Sequence, residues 1–259
     1  MTPTLLAFDT ATELLSVALL SGGGQLHAHE AAGGALASAT LIPAIERLLA
    51  EAGVALADLD AIVFGRGPGA FTGLRTACSV AQGLALGAGK RVLPVDTLMA
   101  VADDARRRVA QPPSPAQPQR TWALLDARMN EIYAAQYAHD GERWHTVEAP
   151  MLTTADALNE RWRAAPPEIV AGNALDAFGE RLDTGAARRV PDALPRATAL
   201  LAVAPALIAQ GGLVDAALAL PLYVREKVAQ TTAERDAARA AKRVADEEVE
   251  RTEAGAAPR

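Results

Sequence analysis

A glycine-rich stretch at residues 65–75 constrains the fold of this chain more than any other segment. It reads Gly-Arg-Gly-Pro-Gly-Ala-Phe-Thr-Gly-Leu-Arg and follows an apolar run at residues 61–64. Small residues continue to residue 86, which predicts a helix after the loop. Glycine permits main-chain angles and close approaches that are closed to other residues. The stretch therefore predicts a strand–loop–helix unit that either binds an anion at the helix N-terminus or packs tightly against another main chain.

Composition limits the classes of protein that this chain can represent. Its 259 residues are enough for one large or two small domains, and half of them are apolar. The net charge of −6 argues against a general RNA-binding surface. Cys78 is the only cysteine, so an intrachain disulfide is excluded. We find neither a signal-peptide pattern nor an apolar run of about 20 residues and expect a cytoplasmic protein.

The first part of the chain predicts the element order β-β-β-α-β-α-β-α. Strands are expected at residues 4–9, 14–20, 25–31, 60–64 and 90–95, with helices at 38–52, 73–87 and 97–109. Ser38 is suited to cap the first helix, and Gly53 to end it. His27 and His29 alternate with apolar residues, so we expect them on the solvent face of the third strand with no bound metal.

Proline and charge patterns divide the remainder. Four prolines in residues 111–119 predict an exposed connector, which separates a domain at 1–110 from a smaller one at 120–228. The smaller domain is expected to hold strands at residues 120–127, 132–139, 144–148, 168–171 and 220–224, and helices at 153–164, 173–182 and 199–209. Residues 229–259 are rich in charge and alanine, which predicts a marginal helix or disorder.

Two short motifs are candidates for ligand chemistry. Asp9, Thr10 and Thr12 end the first strand, and a carboxylate with hydroxyls in a strand–turn–strand can hold a magnesium-bound phosphate. The alternative is a turn that these side chains merely stabilise. The glycine-rich loop supplies the second set, namely Gly67, Pro68, Gly69, Phe71, Thr72 and Gly73.

Six motifs in fixed order carry a family resemblance. They lie at residues 5–12, 38–43, 65–75, 81–85, 124–129 and 221–225. From about residue 4 to residue 227 the chain resembles the TsaB (YeaZ) family, the bacterial partners of the enzyme TsaD. The resemblance implies an actin-like ATPase fold (ASKHA, RNase H-like) with two α/β subdomains of mixed sheets flanked by helices. It also implies a role in making threonylcarbamoyladenosine next to the anticodon of tRNA.

Departures from the related enzyme imply a subunit without catalytic or metal-binding residues. TsaD binds its metal through two histidines, and Thr97 and Val101 stand at the equivalent positions here. Many relatives carry histidine where this chain has Ala37. We therefore expect no tightly bound cofactor, with nucleotide carried mainly by partners and Asp9, Thr10 and Thr12 left as a remnant of a phosphate hairpin.

The resemblance also implies partners and an interface. TsaD is the expected heterodimer partner, with TsaE and tRNA bound through the complex and a possible homodimer of the isolated chain. Small or aliphatic residues on helices 38–52 and 73–87 are predicted to face outward to TsaD, although they would equally suit a core. These residues are Leu41, Ile45, Leu48, Leu74, Cys78, Ala81 and Ala85.

Two rival functions stay open at this point. A sugar-type kinase of the same superfamily would use Asp9 to hold magnesium. A protease would need a base beside Ser38 or Cys78, and no histidine is close to either in sequence.

Overall fold

The computed structural model describes residues 2–109 and 118–225, which contain two five-stranded sheets. The first sheet has the order β3-β2-β1-β4-β5. Its strands are β1 (Leu5–Asp9), β2 (Leu14–Leu20), β3 (Leu26–Ala32), β4 (Ala61–Gly67) and β5 (Arg91–Asp96). β2 is antiparallel to both neighbours, whereas β1, β4 and β5 are parallel, so the sheet is mixed.

Helices cover both faces of this sheet because its central strands are apolar on both sides. Leu6 and Phe8 of β1 pack with α1 (Ala37–Ala52) and α2 (Phe71–Ala88). Leu5 and Ala7, which point the opposite way, pack with α3 (Thr97–Arg108). A strand buried on both faces is typical of the parallel part of an α/β sheet.

The second sheet has the order β10-β9-β6-β7-β8. Its strands are β6 (Gln119–Asp126), β7 (Ile132–His139), β8 (Trp144–Thr153), β9 (Ile169–Ala171) and β10 (Arg188–Val190). The helices of this part are α4 (Ala155–Ala164), α5 (Ala174–Phe178) and α6 (Ala197–Ala209). α4 and α5 pack on one face of the sheet, around Trp122 and Trp162, whose rings meet edge to face at 6.1 Å.

The two sheets share one apolar layer, formed by α3 and α6. Val63 and Leu93 of the first sheet belong to the same buried cluster as Ala123 and Tyr137 of the second. All nine residues of α3 from Thr97 to Ala105 are buried, so this helix contacts protein on every side. The order of layers is thus α1 and α2, first sheet, α3 and α6, second sheet, α4 and α5.

Asp103 and Asp104 are two carboxylates within this apolar layer, and each of them pairs with arginines. Asp104 is 6 % exposed, accepts a hydrogen bond from the Leu194 amide at 3.0 Å, and pairs with Arg108 and Arg196. Arg196 also reaches Glu30 at the edge of the first sheet, at 3.0 Å. Pairing with arginine in this way offsets the cost of burying a carboxylate.

The predicted element order up to residue 109 is confirmed, with differences at the ends of elements. Ser38 lies inside α1 and does not cap it, because the helix begins at Ala37 with Leu36 before it and no side-chain cap. Gly53 ends α1 with a φ of 63°, as predicted. The strand predicted at 220–224 is wrong: those residues pair with no sheet, although the Leu222 amide donates to the Arg66 carbonyl at 2.7 Å. β10 was not predicted.

The expectation for the third strand is also wrong. His27 and His29 are half-buried on the face towards α1, whereas Leu26, Ala28 and Glu30 are exposed. Alternation identifies two faces of a strand but not which of them the helix will cover.

The domain limits stay a prediction. Residues 111–117 of the predicted connector and all of 229–259 lie outside the described residues. Residue 119, expected as the last of the connector, opens β6 instead.

Asp104→Ala is expected to lower the free energy of unfolding by about 2–3 kcal/mol, because it leaves the Leu194 amide and the guanidinium of Arg196 without their buried acceptor. Glu30→Ala is the matched control, since it removes a more exposed carboxylate from the same arginine and should cost less than about 1 kcal/mol. Urea denaturation measures both variants. Equal losses would show that the buried pair contributes no more than the surface pair.

Candidate functional site

The hairpin between β1 and β2 meets the glycine-rich loop after β4, so the two candidate motifs form a single site. Asp9 Oδ1 accepts from the Ala11 amide at 2.7 Å, and Oδ2 accepts from the Thr97 hydroxyl at 2.8 Å. The Thr10 hydroxyl donates to the Gly73 carbonyl at 2.8 Å. Asp9 and Thr10 are both fully buried. The polar groups of the hairpin are therefore satisfied by the chain itself.

The glycines are required for close main-chain packing in this site. A Cβ atom at Gly73 would lie 1.8 Å from the Thr10 carbonyl oxygen, and one at Gly69 would lie 2.5 Å from that of Ala11. A Cβ at Gly65 would lie 1.7 Å from Asp9 Oδ2. Side chains at these positions would push the loop away from the hairpin. Of the two predicted uses of the glycine-rich stretch, the geometry supports packing against another main chain.

The other loop residues hold the start of α2. Gly67 has a φ of 110°, which favours glycine, and its amide donates to the Thr97 hydroxyl oxygen at 3.1 Å. Phe71 packs between the ring of Tyr223, at 5.3 Å, and the guanidinium of Arg75, 3.7 Å above it. Pro68 is buried, whereas Thr72 is exposed. Leu222 and Tyr223 of the last predicted motif thus contact this part of the chain instead of forming a strand.

The burial of Asp9 and Thr10 favours the alternative prediction, a turn that these side chains stabilise, over a bound phosphate. Burial raises the pKa of the Asp9 carboxyl from 3.8 to about 6, against the lowering effect of hydrogen bonds from the Ala11 amide and Thr97. Thr12 differs, because it is only partly buried and lines a cavity of about 470 Å³ together with Glu13, Glu30 and Asn173. Its role in nucleotide binding stays a prediction, and the two glutamates disfavour a phosphate there.

The prediction that the helix stripes face outward is wrong. All seven residues are buried, each at most 5 % exposed, and all except Leu74 belong to the core between the helices and the first sheet. They are Leu41, Ile45, Leu48, Leu74, Cys78, Ala81 and Ala85. The outward face of α2 is a different set, with Ser79, Gly83 and Gly87 exposed and Leu86 80 % exposed.

Comparisons with known proteins identify the family. A family model described as TsaD, tRNA N6-adenosine threonylcarbamoyltransferase, matches residues 30–253. The tRNA threonylcarbamoyladenosine biosynthesis protein TsaB of Escherichia coli is 34 % identical over 229 residues, covering 87 % of this chain and 96 % of the relative. TsaB of Haemophilus influenzae is 34 % identical over 239 residues, covering 87 % and 94 %. This chain belongs to the TsaB (YeaZ) family.

Structural comparison agrees with the family. YeaZ from Pseudomonas aeruginosa superposes with a TM-score of 0.75 at 37 % identity, covering 86 % of this chain and all of that one. A second Pseudomonas aeruginosa structure, described as similar to peptidase YeaZ, has a TM-score of 0.77. The predicted actin-like, RNase H-like α/β fold with two mixed sheets is confirmed.

Thr97 and Val101, which the resemblance to TsaD implies as the metal-ligand positions, lie in the packed interior of this chain. Thr97 is fully buried and joins Asp9 to the Gly67 amide, and Val101 is fully buried among apolar side chains. Over residues 2–109 and 118–225, no group of three or more histidine, cysteine, aspartate or glutamate side chains is placed to hold a metal. Ala37 is also buried.

The candidate nucleophiles of a protease lack the required surroundings. Burial raises the pKa of the Cys78 thiol to about 12, so it is a neutral thiol packed against the sheet. Ser38 is exposed on α1, and in the described part of the chain no histidine is hydrogen-bonded to it.

None of the described helices is long and apolar enough to span a bilayer.

Sequence reasoning missed a second cluster, on α3 and the β7–β8 hairpin. Asp103 is 2 % exposed and pairs with Arg106 at 3.1 Å and Arg107 at 2.7 Å. It also accepts from the indole of Trp144 at 3.2 Å, and His139 packs on that indole at 4.8 Å. The spacing of Asp103 from the arginines was a signal for helix ion pairs, but nothing local predicts a contact 41 residues away.

The raised pKa of Asp9 predicts a pH-dependent stability. A carboxyl whose pKa is higher in the folded state stabilises the fold most at pH values below its unfolded pKa. This stabilisation is lost as the pH rises through the folded pKa of about 6. We expect the free energy of unfolding to fall from about pH 4 to about pH 7 by about 2–3 kcal/mol for this group. Urea denaturation at several pH values measures the decline. The Asp9→Asn variant should lack the part of it that comes from the Asp9 carboxyl.

Asp156→Asn, at an exposed carboxylate on α4, is the control and should keep the decline. A decline as steep in Asp9→Asn as in the unaltered chain would contradict the assignment.

Proposed function

We propose that this chain is a tRNA threonylcarbamoyladenosine biosynthesis protein that acts as a non-catalytic scaffold by binding TsaD. The relatives with this name match it over nearly their whole length, which supports the pathway. The match to the TsaD family model supports a structural kinship with the transferase itself. The kinase alternative loses its magnesium ligand, because Asp9 is buried and hydrogen-bonded within the chain.

The outward face of α2 carries the proposal for partner binding. At Gly83 and Gly87 an added Cβ would meet nothing within 4 Å, so the fold of this chain does not require glycine at either position. Glycine in a helix interior costs about 1 kcal/mol of stability relative to alanine. Its presence on this exposed face therefore favours a contact with another molecule. Small residues allow another helix to approach closely, and Leu86, 80 % exposed between them, offers an apolar contact.

We assign TsaD to this face in place of the buried stripe expected from the sequence. On the neighbouring α1, Ile42 is 44 % exposed and extends the apolar surface. The same surface would pair two copies of this chain when TsaD is absent, since self-complementary patches form twofold dimers. TsaE and tRNA would bind through the complex, in the cytoplasm, with nucleotide held mainly by the partners.

Reconstitution tests the non-catalytic role. The isolated chain is expected neither to modify tRNA nor to bind ATP with a micromolar constant, whereas adding it to TsaD with the other components should produce threonylcarbamoyladenosine. Mass spectrometry of tRNA nucleosides measures the product. Modification by the isolated chain, or an unchanged yield when it is left out, would contradict the proposal.

Gly83→Arg is expected to abolish co-elution with TsaD in size-exclusion chromatography at micromolar concentrations. The arginine would project from the proposed contact face into the space that the partner helix needs. The fold should be preserved, because the site is open and arginine is a better helix former than glycine.

Ala157→Arg is the matched control, since it places the same side chain on an exposed position of α4. It should leave co-elution unchanged. Retained co-elution of Gly83→Arg, with a circular dichroism spectrum like that of the parent chain, would exclude this face. Bulky substitutions at Cys78 or Ala81 cannot serve as tests, because both residues lie in the core.

A further inference from the structure

A second cavity lies where α3, α6 and the turn between β7 and β8 meet. Its volume is about 220 Å³, below the roughly 300–1,000 Å³ of pockets for drug-sized ligands, so it would take only a compact molecule. Met99, Val203 and Leu207 contribute apolar wall, and Trp144 closes one side with its ring. None of these residues belongs to the outward face of α2 or to the hairpin site at Asp9.

His139 places a hydrogen-bond donor in the wall of this cavity. The residue is 6 % exposed, and its Nδ1 accepts from the Gly141 amide at 3.0 Å. With Nδ1 as acceptor, the proton of the neutral ring is on Nε2, which makes Nε2 a donor. Burial and the nearby Arg106 lower the pKa of His139, which favours this neutral form. Within the described residues, Nε2 has no hydrogen-bond partner.

Three guanidinium groups surround the same cavity. Asp103, at the base, holds Arg106 and Arg107, and the latter is bound only through its Nε at 2.7 Å. Across the described part of the chain the terminal amino groups of Arg107 make no other hydrogen bond. Arg143 also lines the cavity, and its guanidinium pairs with Asp140 at 3.8 Å. Arg106 pairs with Asp103, so among the lining arginines Arg107 is the one whose terminal amino groups are open to a ligand.

We propose that this cavity binds a small organic monocarboxylate. A carboxylate would accept from His139 Nε2 and from the planar guanidinium of Arg107, an arrangement that suits two parallel hydrogen bonds. A compact apolar or ring-shaped body would lie against Trp144 and Leu207. One guanidinium with open terminal amino groups, beside a neutral imidazole, suits a monoanion better than a dianionic phosphate.

Benzoate is the probe, titrated into the full chain and observed by calorimetry and by the indole N–H signal of Trp144. We expect a dissociation constant below about 1 mM and a shift of this signal, because Trp144 donates to Asp103 in the cavity wall. His139→Asn keeps an acceptor for the Gly141 amide, at the place of Nδ1, but removes the Nε2 donor. It should weaken binding about tenfold.

Two further variants separate binding from folding. His139→Gln restores a donor near the place of Nε2 and should recover part of the affinity. Arg107→Gln should weaken binding while Arg106 still pairs with the buried Asp103. His145→Phe is the control on the same hairpin, since His145 pairs with Asp140 and does not line the cavity. Its affinity should equal that of the parent chain.

Three results would overturn the proposal. These are no shift of the Trp144 signal at millimolar benzoate, equal affinities of the parent chain, His139→Asn and Arg107→Gln, or tighter binding of phenyl phosphate than of benzoate. The last result would assign the cavity to phosphate esters.

Discussion

The central layer formed by α3 and α6 holds the rest of the structure in place, because both sheets depend on it for one of their buried faces. Apolar residues of both sheets meet in this layer, and α3 is buried on all sides from Thr97 to Ala105. Burial of this kind is the main favourable contribution to folding. The carboxylates of Asp103 and Asp104 are compatible with it only because arginines from the layer's edge reach them.

The same layer explains why the hairpin site is closed. α3 begins directly after β5, and its first residue, Thr97, joins the Asp9 carboxylate to the Gly67 amide. The loop after β4 then packs so closely on the hairpin that several of its positions admit only glycine. The Asp9 carboxylate is thus held in a buried, hydrogen-bonded environment with a raised pKa. Its contribution here is to structure.

Surfaces left open by this packing are where interactions with other molecules can occur. On one side, α2 exposes Leu86 between two glycines that its own fold does not need. Elsewhere, the cavity beside His139 combines apolar walls with partly paired arginines. A protein whose candidate ligand site is satisfied by its own side chains can still act by binding another protein, and we propose TsaD as that partner.

Local patterns in the sequence determined most of the secondary structure and the family. The order of elements up to residue 109 follows from apolar periodicity and glycine positions, which act over a few residues. Only the tertiary structure decided which face of each element is buried. The residues from Leu41 to Ala85 that were predicted to bind a partner are buried instead. His27 and His29 face α1, and residues 220–224 pair with no sheet. Asp103, His139 and Trp144 came together across distant segments. An amphipathic pattern states that one face is apolar, but the partner that covers it depends on packing between elements far apart in the chain.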